Sequence, residues 1–211
     1  MQTGAYETNL DKVALAVESI KVAKQMAVTE EGVGEDINIT VFCWRGASLL
    51  SVIQLSNTFG LSRDERVNRM TQGCCLMRRG WGVDSFTMIA EGYCSLSPAN
   101  TNGESLYELF TQPNSPVKEC IAITHVEADS YLFVSVPYTV TVGRKVQFDN
   151  PLWYRGRDAL RDLAYPATMR AALGLPPVDL DDERVDKEVF FATLADGMMA
   201  FGFEVFYRDD A

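Results

Sequence analysis

The sequence predicts an α+β fold: a mostly antiparallel sheet built from hairpins, packed with helices, and followed by an acidic helical segment. Three observations carry this. The stretch Glu119–Tyr138, ECIAITHVEADSYLFVSVPY, holds two β-rich runs around the polar break Ala128-Asp129-Ser130, which is hairpin composition. Along the chain the order reads α-β-β-α-β-α-β-β-(β)-α-α-(β). Adjacent strands form hairpins and helices fill the gaps, as in α+β proteins. Finally, Gly174-Leu175-Pro176-Pro177 is a helix stop followed by a stiff linker. It divides the chain into a core domain, 1–174, and an acidic helical appendage, 175–211.

Both strands of the Glu119–Tyr138 hairpin are apolar on both faces. Cys120, Ala122, Thr124 and Val126 alternate with Ile121, Ile123, His125 and Glu127. Leu132, Val134, Val136 and Tyr138 alternate with Tyr131, Phe133 and Ser135. Such strands belong inside a sheet covered on both sides. Pro137 cannot donate to a ladder, so the second strand is expected to be irregular or at an edge there.

The other elements follow in order. Asn9–Ala27 reads as an amphipathic helix capped by Thr8 or Asn9, with Leu10, Val13, Val17, Ile20 and Lys24 on one face. Val28–Asp36 is a polar loop. Ile37–Trp44 is a strand, and Arg45-Gly46 turns it into Leu49–Leu55, with a helical reading of Ser48–Leu55 competing. Ser62 and Glu65 form a capping-box pattern opening a helix to about Arg79, which buries Val67, Met70, Cys74 and Met77 and stops at Gly80-Trp81-Gly82. Asp84–Leu96 is a strand, Ser97–Gly103 a loop, Ser105–Thr111 a short helix, and Pro113–Pro116 a break. Beyond the hairpin, Thr139–Phe148 reads as one strand bent at Gly143-Arg144, and Asp149–Gly156 as a loop. Arg157–Leu173 is a helix interrupted at Pro166. Asp182–Met199 is a helix with Val185, Val189, Ala192 and Met199 on one side, and Phe201–Tyr207 is a short strand or aromatic plug.

Composition narrows the function. The 211 residues suit one domain with or without an appendage, and 47% apolar content suits a real core. No apolar run reaches the ~18 residues of a membrane span. The N-terminus has neither a basic start nor an apolar stretch, so no secretory signal is expected and the protein is expected in the cytoplasm. The five cysteines, Cys43, Cys74, Cys75, Cys94 and Cys120, are odd in number and contain no Cys-x-x-Cys pair. Free, mostly buried thiols are expected rather than a disulfide framework or a zinc ribbon. Residues 176–211 carry 10 acidic and 3 basic side chains, net −7 of the total −10. That disfavours phosphate contacts and direct nucleic-acid binding. It suits solubility or a basic partner.

Catalytic patterns are few. His125, the sole histidine, shares a strand face with Glu127, and with Asp129 if the strand stays regular. With Glu91 from a neighbouring strand these groups could serve a metal-dependent hydrolase. The His-x-Glu start resembles zinc deaminases, but no cysteine follows Cys120, so the required Pro-Cys-x-x-Cys is absent. No Glu-x-Lys follows Asp84, as a metal nuclease would want, and no Gly-x-Ser-x-Gly, Gly-x-Gly-x-x-Gly or phosphate-loop pattern occurs. Arg78, Arg79 and Trp81 form a basic, aromatic helix end, and Trp153 and Tyr154 an aromatic loop. Both are candidate contact patches, the loop alternatively roofing a small-molecule pocket. The leading expectation is a non-enzymatic protein that acts through a protein partner or self-association, without cofactor, metal, nucleic acid or membrane. The alternative is the hydrolase centred on His125 and Glu127.

Overall fold

The computed structural model describes residues 8–30, 37–56, 60–95, 115, 117–141, 143, 145–154 and 164–207. Among them are helices α1 (Asn9–Glu30), α2 (Arg63–Trp81), α3 (Ala164–Leu173) and α4 (Lys187–Ala200). The strands are β1 (Ile39–Arg45), β2 (Ser48–Leu55), β3 (Ser85–Ser95), β4 (Val117–Val126), β5 (Tyr131–Thr141), β6 (Lys145–Phe148), β7 (Leu152–Tyr154) and β8 (Phe203–Tyr207). The strands form one sheet in the order β6-β5-β4-β3-β1-β2-β8, with β7 also on β5. Every pairing among them is antiparallel. The fold is α+β, with the β4–β5 hairpin inside the sheet. No described helix is long and apolar enough to cross a membrane.

The two-sided apolar character of β4 and β5 has its expected cause. On one face Ile121, Ile123, Val134, Val136 and Tyr138 pack with Val13, Val17 and Ile20 of α1. On the other, Val41, Ile53, Phe86, Met88 and Val126 pack with Met70, Cys74 and Met77 of α2, Met169 of α3 and Met198 of α4. The four thiols of Cys43, Cys74, Cys94 and Cys120 are buried and free, and Cys75 is half-buried. Helix α1 lies chiefly over β3, β4 and β6. Among the described residues no helix covers the β2–β8 end of this face.

Pro137 sits where its missing N–H costs nothing. β6 pairs with β5 at Tyr138–Thr141 and β7 pairs with it at Phe133–Ser135. The two short strands are one antiparallel partner broken opposite Pro137, whose carbonyl accepts from Asp149 N at 2.8 Å. Two expectations are corrected here. Thr139–Phe148 is not one bent strand, because Thr141 and Lys145 face each other across a turn at Gly143. Leu152–Tyr154, expected in a loop, is a strand because β5 offers it a free edge.

Helix boundaries also moved. Helix α1 runs on through Val28-Thr29-Glu30, past the expected loop start, because Val28 is buried. Leu10, expected on the apolar face, is 47% exposed. Helix α2 has the full capping box: Ser62 Oγ accepts from Glu65 N at 3.2 Å, and Glu65 Oε2 accepts from Ser62 N at 2.8 Å. Its stop is Gly82, at φ 64°, not Gly80. Gly80 lies within the helix, and a Cβ there would run into Leu194 of α4, so close packing and not a chain stop accounts for the glycine. Val67 is half-buried rather than buried. Pro166 is the third residue of α3, a position where a missing backbone donor is tolerated; residues 157–163 of the expected helix lie outside the described residues. The elements expected at Ser97–Gly103 and Ser105–Thr111 lie outside the described residues.

The segment after Gly174 is built into the same sheet. Arg78 Nε donates to Leu175 O at 2.8 Å, and Val178 N to Arg79 O at 2.8 Å. β8 pairs with β2 from Ser51↔Tyr207 to Leu55↔Phe203. Helix α4 starts at Lys187 with Asp186 as its cap, five residues later than expected. It buries Leu194 and Met198, while Val189 and Met199 stand 61% and 65% exposed. The expected apolar face was out of phase because α4 meets α2 along Gly80–Leu194 and Leu76–Gly197.

Candidate functional site

β4 and β3 run antiparallel with His125 opposite Thr87, so both side chains share the face under α1. Trp44 Nε1 donates to Thr87 Oγ1 at 2.9 Å, and Thr87 Oγ1 lies 2.8 Å from His125 Nδ1. His125 is fully buried and its Nε2 has no hydrogen-bond partner. The nearest carboxylate oxygen, Glu127 Oε1, is 3.8 Å from Nε2, beyond hydrogen-bond length. Burial, and then the Lys12 ammonium, push the imidazole pKa down to about 4, against the pull of Glu127 and Asp84. His125 is neutral at pH 7.

Glu127 stands between this ring and solvent. Burial raises its pKa, but hydrogen bonds from Ser130 (2.7 Å) and Asn9 (2.9 Å) outweigh that and hold it below the usual carboxylate value. Lys12, 5% exposed, donates to Ser85 Oγ at 3.1 Å and lies 5.7 Å from the Trp44 ring centroid. A cavity of about 560 Å³ opens here, lined by Asn9, Lys12, Gly46, Asp84, Glu127 and Asp129 among others. His125 is not among its lining residues.

Glu91 is not part of this cluster. It shares the sheet face of His125 but lies four residues along β3 from Thr87, about 13 Å at ~3.3 Å per residue. There it pairs with Lys24 at 2.5 Å and accepts from Tyr138 Oη at 3.1 Å and Ile37 N at 3.0 Å. Asp129 sits exposed in the β4–β5 turn. The three carboxylates therefore do not converge on the imidazole. No cluster of three His, Cys, Asp or Glu fit for a metal occurs among the described residues.

The two candidate contact patches separate. The Arg78 guanidinium is engaged with Leu175 O and Val83 O, so it ties down α2 and the segment behind it. The Arg79 side chain is exposed. Trp81 packs on Phe191 of α4 at 5.6 Å between ring centroids. Trp153 is 45% exposed on the edge strand β7, and Tyr154 pairs through its backbone with Phe133.

The sequence reading missed Phe206 as a contact residue. Phe206 pairs with Val52 of β2 and is 52% exposed on the sheet face that carries α1. The alternation in Phe203-Glu204-Val205-Phe206 was the available signal: Phe203 is 3% exposed and Val205 packs on the core, which turns Glu204 and Phe206 the other way. Among the described residues β8 has β2 as its sole strand neighbour. Compared with known families, curated proteins and solved structures, the chain matches none.

Proposed function

We propose that the chain is a non-enzymatic binding module whose partner adds an extended, basic segment to the free edge of β8. The observation that carries the reading is this edge itself: among the described residues β8 is bonded on one side only, with Phe206 exposed beside it. An open edge presents backbone donors and acceptors to an incoming strand, and neighbouring side chains set the preference. Charge favours a basic occupant. Residues 176–211, which contain β8, carry net −7. A second copy of a chain at net −10 would meet the same charge.

The enzyme reading draws no comparable support. A general base must reach its proton, and His125 is sealed behind Glu127 with Glu91 engaged elsewhere.

A Lys-Val alternating octapeptide is a direct probe. Titrated into 15N-labelled protein, it should shift and protect the amides of residues 203–207, with affinity falling as salt rises. Phe206→Asp should weaken binding at least tenfold without changing the melting temperature of the free protein. The Glu-Val counterpart should not bind. Binding of both peptides alike, or shifts away from β8, would overturn the proposal. Concentration-dependent dimerisation lost in Phe206→Asp would replace the basic partner by a second copy.

A further inference from the structure

A second cavity, of about 340 Å³, lies at the opposite end of the sheet from His125, where β3 ends and β4 starts. Its wall includes Arg63 and Arg66 from the first turns of α2, and Tyr93, Tyr138 and Tyr165. Gly92 adds open space, since a Cβ there would meet nothing within 4 Å. The volume is near the lower end of the roughly 300–1,000 Å³ of small-molecule sites.

Arg66 is the group that needs explaining. Its Nε is shielded from solvent yet has no hydrogen-bond partner. An unmet buried donor is costly, more so when charged, so such groups are rare in proteins. The guanidinium fork matches the oxygens of a carboxylate or a phosphate. Beside it, burial pushes the Tyr165 phenol up despite the pull of Arg66 and Arg63. That hydroxyl therefore stays protonated and able to donate. Of the two acids lining the cavity, Glu91 is neutralised by Lys24 at 2.5 Å. Glu119 also lines the wall and is itself engaged.

We propose that this cavity binds a small organic anion, a carboxylate or a phosphate monoester, whose oxygens take the Arg66 fork and whose body rests among the tyrosines. The site is separate from the β8 edge and does not depend on it.

The test uses full-length protein with 4-hydroxybenzoate and inorganic phosphate as probes, and phenol as the uncharged control. At least one anion should raise the melting temperature saturably, and phenol should not. Response to phosphate alone marks a phosphate ligand, and response to 4-hydroxybenzoate alone a carboxylate. Arg66→Met should weaken binding at least tenfold while leaving the unliganded protein as stable as wild type or more so, because it removes a buried unpaired donor. Arg66→Lys should recover part of the affinity. No response to either anion, or equal binding by Arg66→Met, overturns the proposal. So does a marked loss of stability in both variants, which would make Arg66 a structural group.

Discussion

The neutral, buried imidazole of His125 makes the protein acid-labile in a defined window. Its pKa is about 4 when folded and about 6.5 when unfolded. The unfolded chain therefore binds the proton first as pH falls. A group depressed on folding costs nothing well above pH 6.5, and its cost grows as pH drops from 6.5 towards 4. Linkage puts the loss at about 2 kcal/mol by pH 5 and about 3 kcal/mol by pH 4. His125 is the chain's sole histidine, so no other imidazole shares this window. Urea unfolding at pH 8, 6, 5 and 4.5 measures it. His125→Asn keeps a polar atom near the Nδ1 position to meet Thr87. It should be less stable than wild type at pH 8, but its stability should fall less steeply with acid, the two curves converging by about 2 kcal/mol at pH 5. Carboxylates remote from His125 add the same slope to both proteins and cancel in the difference; Glu127, which His125 helps to hold below its usual pKa, is removed from the comparison by repeating both curves in a Glu127→Gln background. Parallel curves for the two proteins would refute the buried-neutral account.

Three more outcomes are expected. Lys24→Met should cost about 3–5 kcal/mol, because it strands Glu91 in a site where the two partners' side chains are 6% and 11% exposed; chemical denaturation reads it. Gly73→Ala would place a Cβ 2.6 Å from the Phe203 ring, and overpacking of about 1–3 kcal/mol should exceed the ~1 kcal/mol gained in helix propensity. Hydrogen exchange should then quicken in β8 before β4. Among thiols, Cys75 should react first with a disulfide reagent at pH 8. Cys43, pushed up to about 12 by burial, and Cys74, held well above the ordinary thiol value by burial, should react only in denaturant.

The hairpins, the α2 capping box and the two-sided burial of β4 and β5 were legible because each is written locally, in alternation or in residues three apart. What escaped depends on distant partners. Gly80 reads as a helix breaker until Leu194, over a hundred residues on, occupies the space of its absent side chain. Leu152–Tyr154 reads as loop because three residues carry no period, and only the free edge of β5 makes them a strand. Val189 and Met199 looked like the inner face of a helix whose phase is set by α2. At the candidate sites, the nearness of His125 and Glu127 was visible from alternation. Nothing local could show that Glu91 lies four residues from Thr87 in register with another strand, or that Trp44 donates to the Thr87 hydroxyl beside His125.

The pairing of β2 with β8 spans 148 positions, the separation of Ser56 from Glu204. A hairpin such as β1–β2 closes in microseconds. The ribosome adds roughly 5–20 residues per second, so β8 follows β2 out of the tunnel by about seven to thirty seconds. During that interval the Ser48–Leu55 run, SLLSVIQL, is an open sheet edge on a nascent chain. A chaperone that shields extended apolar segments would meet this stretch first. Variants that slow or remove β8 would then show their harm as lost yield during synthesis, before any loss of stability in the finished protein is felt.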